Sequence, residues 1–292
     1  MNENRKTRLV SDTGCDIPEG WDDIHNIDLL PFGVLIDDRE YVDRIELKPE
    51  KFYELAKNTP GIPKTNQVMT RQFEEKFLEC AENGAEDIIA VVINSAGSKT
   101  YDNALQALDN LTQAGKLGGT KVHIIDSHCY SIGYGYPVIE AAKKINAGQS
   151  VESVIAYLKD WFSCVETLLL GFDLRHMKKS GRITAAAGFL GEMMGLKPII
   201  SMIDEKTTVI KKSRGEKNAV DDAIDAVMPR RIPETPWLLI HSESTGMEEY
   251  LISEMNKKTG QSPAMDSVAG AVVASNAGVR FMGIIYRGQP RR

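Results

Sequence analysis

An unbroken run of six apolar residues, Ile88-Ile89-Ala90-Val91-Val92-Ile93, gives way to Asn94-Ser95-Ala96-Gly97-Ser98-Lys99-Thr100 and then to a stretch of helical spacing at 101–108. A short run rich in Val and Ile, with no polar alternation, suits a strand buried on both faces of a parallel sheet. The pattern therefore predicts strand, loop, helix, and it recurs. Arg8-Leu9-Val10 is a short strand that enters Ser11-Asp12-Thr13-Gly14-Cys15-Asp16-Ile17-Pro18. Residues 122–126 form another, followed by Ser127-His128-Cys129-Tyr130-Ser131 and a helix starting near Gly135. Strands alternating with helices predict an α/β fold, a parallel sheet with helices on both faces. Three of its strands end in loops crowded with side-chain oxygens.

Between these repeats, 27–42 reads as extended structure, with Asp37-Asp38 as a turn signal, a small hairpin insertion near 27–43. Helices are expected at 51–56, before the breaker Asn58-Thr59-Pro60-Gly61-Ile62-Pro63, and at 71–83, stopped by Gly84. An amphipathic helix at 149–162 closes a parallel α/β domain of residues 1–163. From Leu168 the pattern changes: extended structure at 168–173, a short helix at 174–179 ended by Gly181, and a small, apolar helix at 184–194. A strand at 197–203 then turns through Asp204-Glu205-Lys206 into another at 207–210. Helices at 219–228 and 247–258 flank a strand at 237–241, and 271–274 with 280–286 complete a second sheet. Residues 164–292 thus read as a smaller α+β domain with at least one antiparallel pair.

At 292 residues, 42% hydrophobic and 26% charged, the chain has the composition of a globular protein with room for two domains. No apolar run approaches the 18 or so residues of a membrane span, and the first eight residues lack the apolar core of a signal peptide, so stable membrane insertion is not expected and a cytoplasmic location is. A net charge of −6 argues against non-specific nucleic-acid binding. Cys15, Cys80, Cys129 and Cys164 have no zinc spacing and read as free thiols, and the histidines show no metal pattern. Gly133-Tyr134-Gly135 lacks the third glycine of a dinucleotide fingerprint, and Gly97-Ser98-Lys99-Thr100 lacks the glycines of a P-loop. No GxSxG elbow marks a nucleophile, so no catalytic residue, metal or cofactor is assigned.

In open α/β sheets ligands bind beyond the carboxyl ends of the strands, where loop hydroxyls and free helix N–H groups converge. An oxygen-rich or anionic group suits the 94–100 loop. Ser95, Ser98 and Thr100 are equally the residue types that cap a helix.

The ordered segments Ser11-Asp12-Thr13-Gly14-Cys15-Asp16-Ile17-Pro18, Leu30-Pro31-Phe32, Lys64-Thr65-Asn66-Gln67, 94–100, Ile125-Asp126-Ser127, Ser180-Gly181-Arg182-Ile183, Lys197-Pro198-Ile199 and 272–283 resemble the motifs of the DegV family along nearly the whole chain. The resemblance implies a parallel-sheet N-terminal domain and a smaller α+β domain, with a long-chain fatty acid in a tunnel between them. It also implies that the protein is the non-catalytic, lipid-presenting subunit of a bacterial fatty acid kinase, in which a separate subunit transfers phosphate from ATP. By the same resemblance Thr65, Asn66, Asn94, Ser95, Ala96 and Asn276 bind the ligand. The small, sulfur-rich stretch 185–194 is an expected source of acyl-chain lining or, equally, of core.

Three departures bear on the head group. The usual Thr-Ser-Gln-Pro-Ser is Thr65-Asn66-Gln67-Val68-Met69, the usual Ser-Ser-Gly-Leu-Ser-Gly-Thr is Asn94-Ser95-Ala96-Gly97-Ser98-Lys99-Thr100, and Asn276 stands where members often carry a histidine. Lys99 is either a compensating cation or a solvated surface lysine. Basic islands at Lys178-Lys179 with Arg182 and at Lys211-Lys212-Ser213-Arg214 mark an expected kinase-docking surface, with Arg182 and Arg214 preferred for their bidentate guanidinium groups. The alternatives left open are an acyl-ligand transport or sensing protein with an altered head-group site, and a stand-alone hydrolase on the same fold.

Overall fold

A computed structural model describes residues 7–189, 195–204 and 206–289. In chain order its elements begin β1 (Thr7–Asp12), α1 (Trp21–His25), β2 (Ile27–Leu30), β3 (Gly33–Ile36), β4 (Arg39–Val42), α2 (Pro49–Asn58), β5 (Lys64–Asn66) and α3 (Thr70–Glu82). They continue with β6 (Asp87–Val92), α4 (Thr100–Gln113), β7 (Lys121–Asp126), α5 (Ile132–Asn146), α6 (Val151–Cys164), β8 (Val165–Gly171) and α7 (Arg175–Ser180). After a 3-10 segment, Thr184–Phe189, come β9 (Leu196–Ile203), β10 (Lys206–Arg214), α8 (Glu216–Val227), β11 (Trp237–His241), α9 (Glu248–Thr259), β12 (Met265–Val268), α10 (Ala271–Ala277) and β13 (Phe281–Arg287). The chain divides into two compact units. One comprises Met1–Gly33, Val42–Ile45 and Asn66–Ser163; the other comprises Val34–Tyr41, Glu46–Thr65 and Cys164–Arg292.

The first unit is built on a parallel sheet of order β2-β1-β6-β7. β6 is central: Ile89 lies opposite Leu9 on one side and His123 on the other. Its residues Ile88 to Val92 are fully buried, as the unbroken apolar run requires. α5 starts at Ile132, three residues before the expected Gly135, because Ser131 takes a positive φ of 57° and turns the chain early. Pro137 sits inside this helix and has no N–H to give the Gly133 carbonyl four residues back. The indole N–H of buried Trp161, on α6, donates to that carbonyl instead, at 2.9 Å. Gly135 permits close approach: a Cβ there would lie 2.1 Å from the Cys15 carbonyl oxygen.

The second unit contains a six-stranded sheet, β10-β9-β8-β13-β11-β12, antiparallel except for the β11–β12 pair. A three-stranded sheet, β4-β3-β5, has the expected Asp37-Asp38 turn between β3 and β4. α8 presents Ala219, Val220, Ala223, Ile224 and Val227, a helical stripe, to Leu168, Leu170, Trp237, Leu239, Ile284 and Tyr286 from the strands. Leu251 and Met255 of α9 join the same core.

Two expectations for this unit are corrected. Residues 271–274 do not form a strand: they open α10, whose Ser275 hydroxyl and Asn276 amide donate to the carbonyls of Ala271 and Val272, one turn back, at 2.6 and 2.9 Å. The sheet is completed instead by β12, which runs parallel to β11. The helix expected at 184–194 is a 3-10 segment as far as Phe189; Leu190-Gly191-Glu192-Met193-Met194 lie outside the described residues.

Candidate functional site

In the first unit the ends of β1, β6 and β7 are braced by two carboxylates. Asp12, fully buried, accepts the N–H of Ile93 through Oδ2 at 2.8 Å. Its Oδ1 accepts the N–H of Gly14 at 3.0 Å and the Tyr134 hydroxyl at 2.5 Å. One side chain thus ties β1 to the end of β6 and to the first turn of α5. Burial pushes the Asp12 carboxyl up to about 6 against the opposing pull of these donors, and pushes the Tyr134 phenol well above its ordinary value. Asp126, at the end of β7, accepts the N–H groups of Ser95 and His128 on one oxygen, at 3.2 and 3.0 Å.

Between these braces the 94–99 loop is a built turn. Asn94 is buried and its N–H donates to the Cys129 carbonyl, while its side-chain oxygen takes the Ala96 N–H at 2.9 Å and its own carbonyl takes the Gly97 N–H. Gly97 is required here, since a Cβ would lie 2.3 Å from the Tyr130 hydroxyl oxygen. The N–H groups of 95, 96 and 97 are therefore spent inside the protein, and the backbone share of anion binding expected from this loop is smaller than its position at the start of α4 suggests. Ser98 bonds Thr100 across 2.8 Å and serves the cap of α4. Ser95 is different: its hydroxyl, half-buried, has no hydrogen-bond partner among the described residues. Lys99 is a surface lysine whose Nζ pairs with Asp102 at 2.8 Å.

Below the first of these loops lies a second group of charges that sequence reading passed over. Asp43 is 1% exposed, and burial pushes its carboxyl up to about 7 against the pull of the Thr13 hydroxyl and the Arg44 guanidinium. Burial also pushes the neighbouring Cys15 thiol up to about 12, so this cysteine is an inert core group. Asp16 accepts the Ser131 hydroxyl at 2.5 Å. The crowding of oxygens in 11–16 was visible in the sequence; that Asp43 and Arg44 join them was not.

In the second unit Thr65 is half-buried on β5, and its hydroxyl too has no partner among the described residues. Asn66, the next residue, is exposed. Asn276 lies on α10 with its amide committed to Val272. Arg182 and Arg214 are both exposed; Arg182 donates to the Ser180 carbonyl at 2.9 Å within its own turn, whereas the Arg214 guanidinium has no partner among the described residues. Asn94, Ser95 and Ala96 are brought together in one turn; Thr65 and Asn276 belong to separate elements of the other unit. No group of three or more His, Cys, Asp or Glu side chains suited to a metal ion occurs among the described residues.

Comparison with known proteins gives a consistent picture. Residues 6–289 match the model of the DegV family, described as uncharacterised proteins. A DegV domain-containing protein of Caldanaerobacter subterraneus subsp. tengcongensis is 25% identical over 283 residues, covering 96% of this chain and 98% of the relative. Among solved structures, a stearic-acid-binding protein from Eubacterium ventriosum superposes with a TM-score of 0.86 at 17% identity, over 96% of this chain and 98% of its own. The Streptococcus pneumoniae fatty acid kinase (Fak) B3 protein, loaded with linoleic acid, superposes with a TM-score of 0.82 at 18% identity, over 97% of this chain and 100% of its own.

Proposed function

This chain belongs to the DegV family, and from that premise we propose that it binds a long-chain fatty acid and presents the carboxylate to a separate ATP-dependent kinase subunit. The observation that carries the reading is that the hydroxyls of Thr65, on β5, and of Ser95, in a turn whose backbone amides are already bonded, each have no hydrogen-bond partner among the described residues. Each hydroxyl donates one hydrogen bond without bringing a charge. A carboxylate held this way keeps its nucleophilic oxygens for the phosphoryl group that the kinase subunit would transfer from ATP. The acyl chain supplies the affinity: at ~0.8 kcal/mol per buried methylene, roughly 14 of them contribute about 11 kcal/mol before association and ordering costs. The fatty acids in the Eubacterium and Streptococcus structures support this ligand class.

The chain's own part is binding and presentation. Among the described residues no histidine or carboxylate is hydrogen-bonded to the Ser95 hydroxyl to activate it, which disfavours the hydrolase alternative. Arg214 is the preferred docking contact, because its guanidinium is exposed and uncommitted while that of Arg182 is engaged in its own turn. Native mass spectrometry of the purified chain tests the ligand class, with a co-purified fatty acid the expected result. Calorimetry tests the head-group assignment: Thr65→Ala with Ser95→Ala lowers affinity at least tenfold, and unchanged affinity in the double variant rules the two hydroxyls out.

A further inference from the structure

His176, on α7, is 5% exposed, and neither of its ring nitrogens has a hydrogen-bond partner among the described residues. Two unpaired polar atoms on one buried ring are unusual, since a buried polar group that gives up water without gaining a partner is destabilising. The stem of the side chain packs on the end of α10: a Cβ built on Gly278 would lie 3.4 Å from the His176 Cβ and 3.7 Å from Cγ. α10 is the helix that carries Asn276. Its polar side chains are occupied, the Ser275 hydroxyl by Ala271 and the Asn276 amide N–H by Val272. The ring is thus left as the polar group at this helix end with donor and acceptor both unused.

The electrostatic surroundings allow the ring to change state. α7 packs against α10 and the 3-10 segment Thr184–Phe189, and neither contains an ionisable residue. Among the described residues the charges acting on the imidazole come from its own segment: Asp173, which is held by Arg175 at 3.0 Å, Arg175 itself and Lys179. Burial holds the free imidazole below its ordinary value, so it is neutral at pH 7.

We propose that His176 binds the polar head of the acyl ligand, donating a ring N–H to its carboxylate and taking up a proton from solvent as it does so. This rests on the fatty-acid reading above. An anion beside the ring favours the imidazolium, so the ligand raises the value at which His176 titrates. Affinity is then highest below the titration point of the free protein and falls as pH rises through that of the complex. Each unit of separation between the two is a tenfold range in affinity.

The test is a histidine-labelled NMR titration of the full chain, alone and with laurate kept below its micelle concentration. The His176 signal is identified by its loss in His176→Gln, or in His176→Phe should the first variant fold poorly. The expected result is a titration point at least one unit higher with laurate, and no such rise with dodecanol, which has the same chain length and an uncharged head. Calorimetry in two buffers of different ionisation enthalpy should show proton uptake on laurate binding that is lost in the variant. Laurate binding with an unmoved His176 signal overturns the inference and leaves the fatty-acid reading in place; absence of laurate binding together with no co-purified fatty acid in native mass spectrometry of the unaltered chain overturns both.

Discussion

Replacing Trp161 by Phe isolates one hydrogen bond on which α5 depends. Pro137 removes the donor that the Gly133 carbonyl would have within the helix, and the Trp161 indole N–H supplies it from α6 at 2.9 Å. Trp161 is 2% exposed, so no water replaces the lost donor without rearrangement. Leaving a buried carbonyl unsatisfied costs about 1–3 kcal/mol, and the smaller ring adds a packing loss of its own. The second perturbation, Pro137→Ala, restores a backbone N–H to the same carbonyl. In the unaltered chain this donor is redundant; in Trp161→Phe it meets the unpaired acceptor. A double-mutant cycle cancels the packing loss, which is present in both Trp161→Phe arms, and leaves the hydrogen-bond term. The expected coupling is about 1–2 kcal/mol, Pro137→Ala being more favourable by that amount in the Trp161→Phe background. Urea denaturation followed by circular dichroism reads it, with the m-values compared first to establish that the same transition is observed. Coupling below about 0.5 kcal/mol, the ordinary error of additivity, would refute the account of why Trp161 and Pro137 occur together.

Two further outcomes follow from named groups. Asp43 and Asp12, raised from 3.8 to about 7 and about 6, bind protons more tightly folded than unfolded, so the stability they contribute is fully present below pH ~4 and is lost as pH rises through those values. The changes are on the order of 3 kcal/mol for Asp12 and 4 kcal/mol for Asp43, and Asp43→Asn should flatten the fall in stability between about pH 4 and pH 7; an unchanged slope in denaturant midpoints would show that Asp43 does not titrate there. Arg214→Glu should slow phosphorylation of bound lipid in a reconstituted kinase assay at low salt while leaving fatty-acid affinity intact, and an unaltered rate removes this docking contact.

The parallel sheet was legible because β6 is buried on both faces and its sequence says so in six consecutive apolar residues. α10 was not, because a seven-residue helix offers fewer than two turns of periodicity, and Ala271-Val272-Val273-Ala274 satisfies a strand template equally well. β12, Met-Asp-Ser-Val, has half its residues polar and is identifiable only by its partner β11. At the site, the 94–100 loop was found from its composition, but the fate of its amides was not. Whether the Ser95 N–H is free depends on Asp126, 31 residues away, and the brace at Asp12 depends on Ile93 and Tyr134, 81 and 122 residues away. His176 carried no signal at all, since an unsatisfied ring is a property of its surroundings and not of its neighbours in sequence.

Among the described residues β10 forms one border of the six-stranded sheet, with β9 on one side and no strand on the other. Such a border offers a row of unused backbone groups to any other chain that arrives with a matching strand. Here the row is interrupted: the register with β9 slips between Val209 and Lys211, and Ile210 is displaced to 46% exposure at the irregularity. Lys206, Lys211, Lys212 and Arg214 then place four cations along nine residues. A second copy approaching edge to edge would bring like charges together on a bent strand. These charges keep the border from templating self-assembly, so exchanging Lys211 and Lys212 for β-branched apolar residues would turn a sheet margin into a nucleus for fibrillar aggregation.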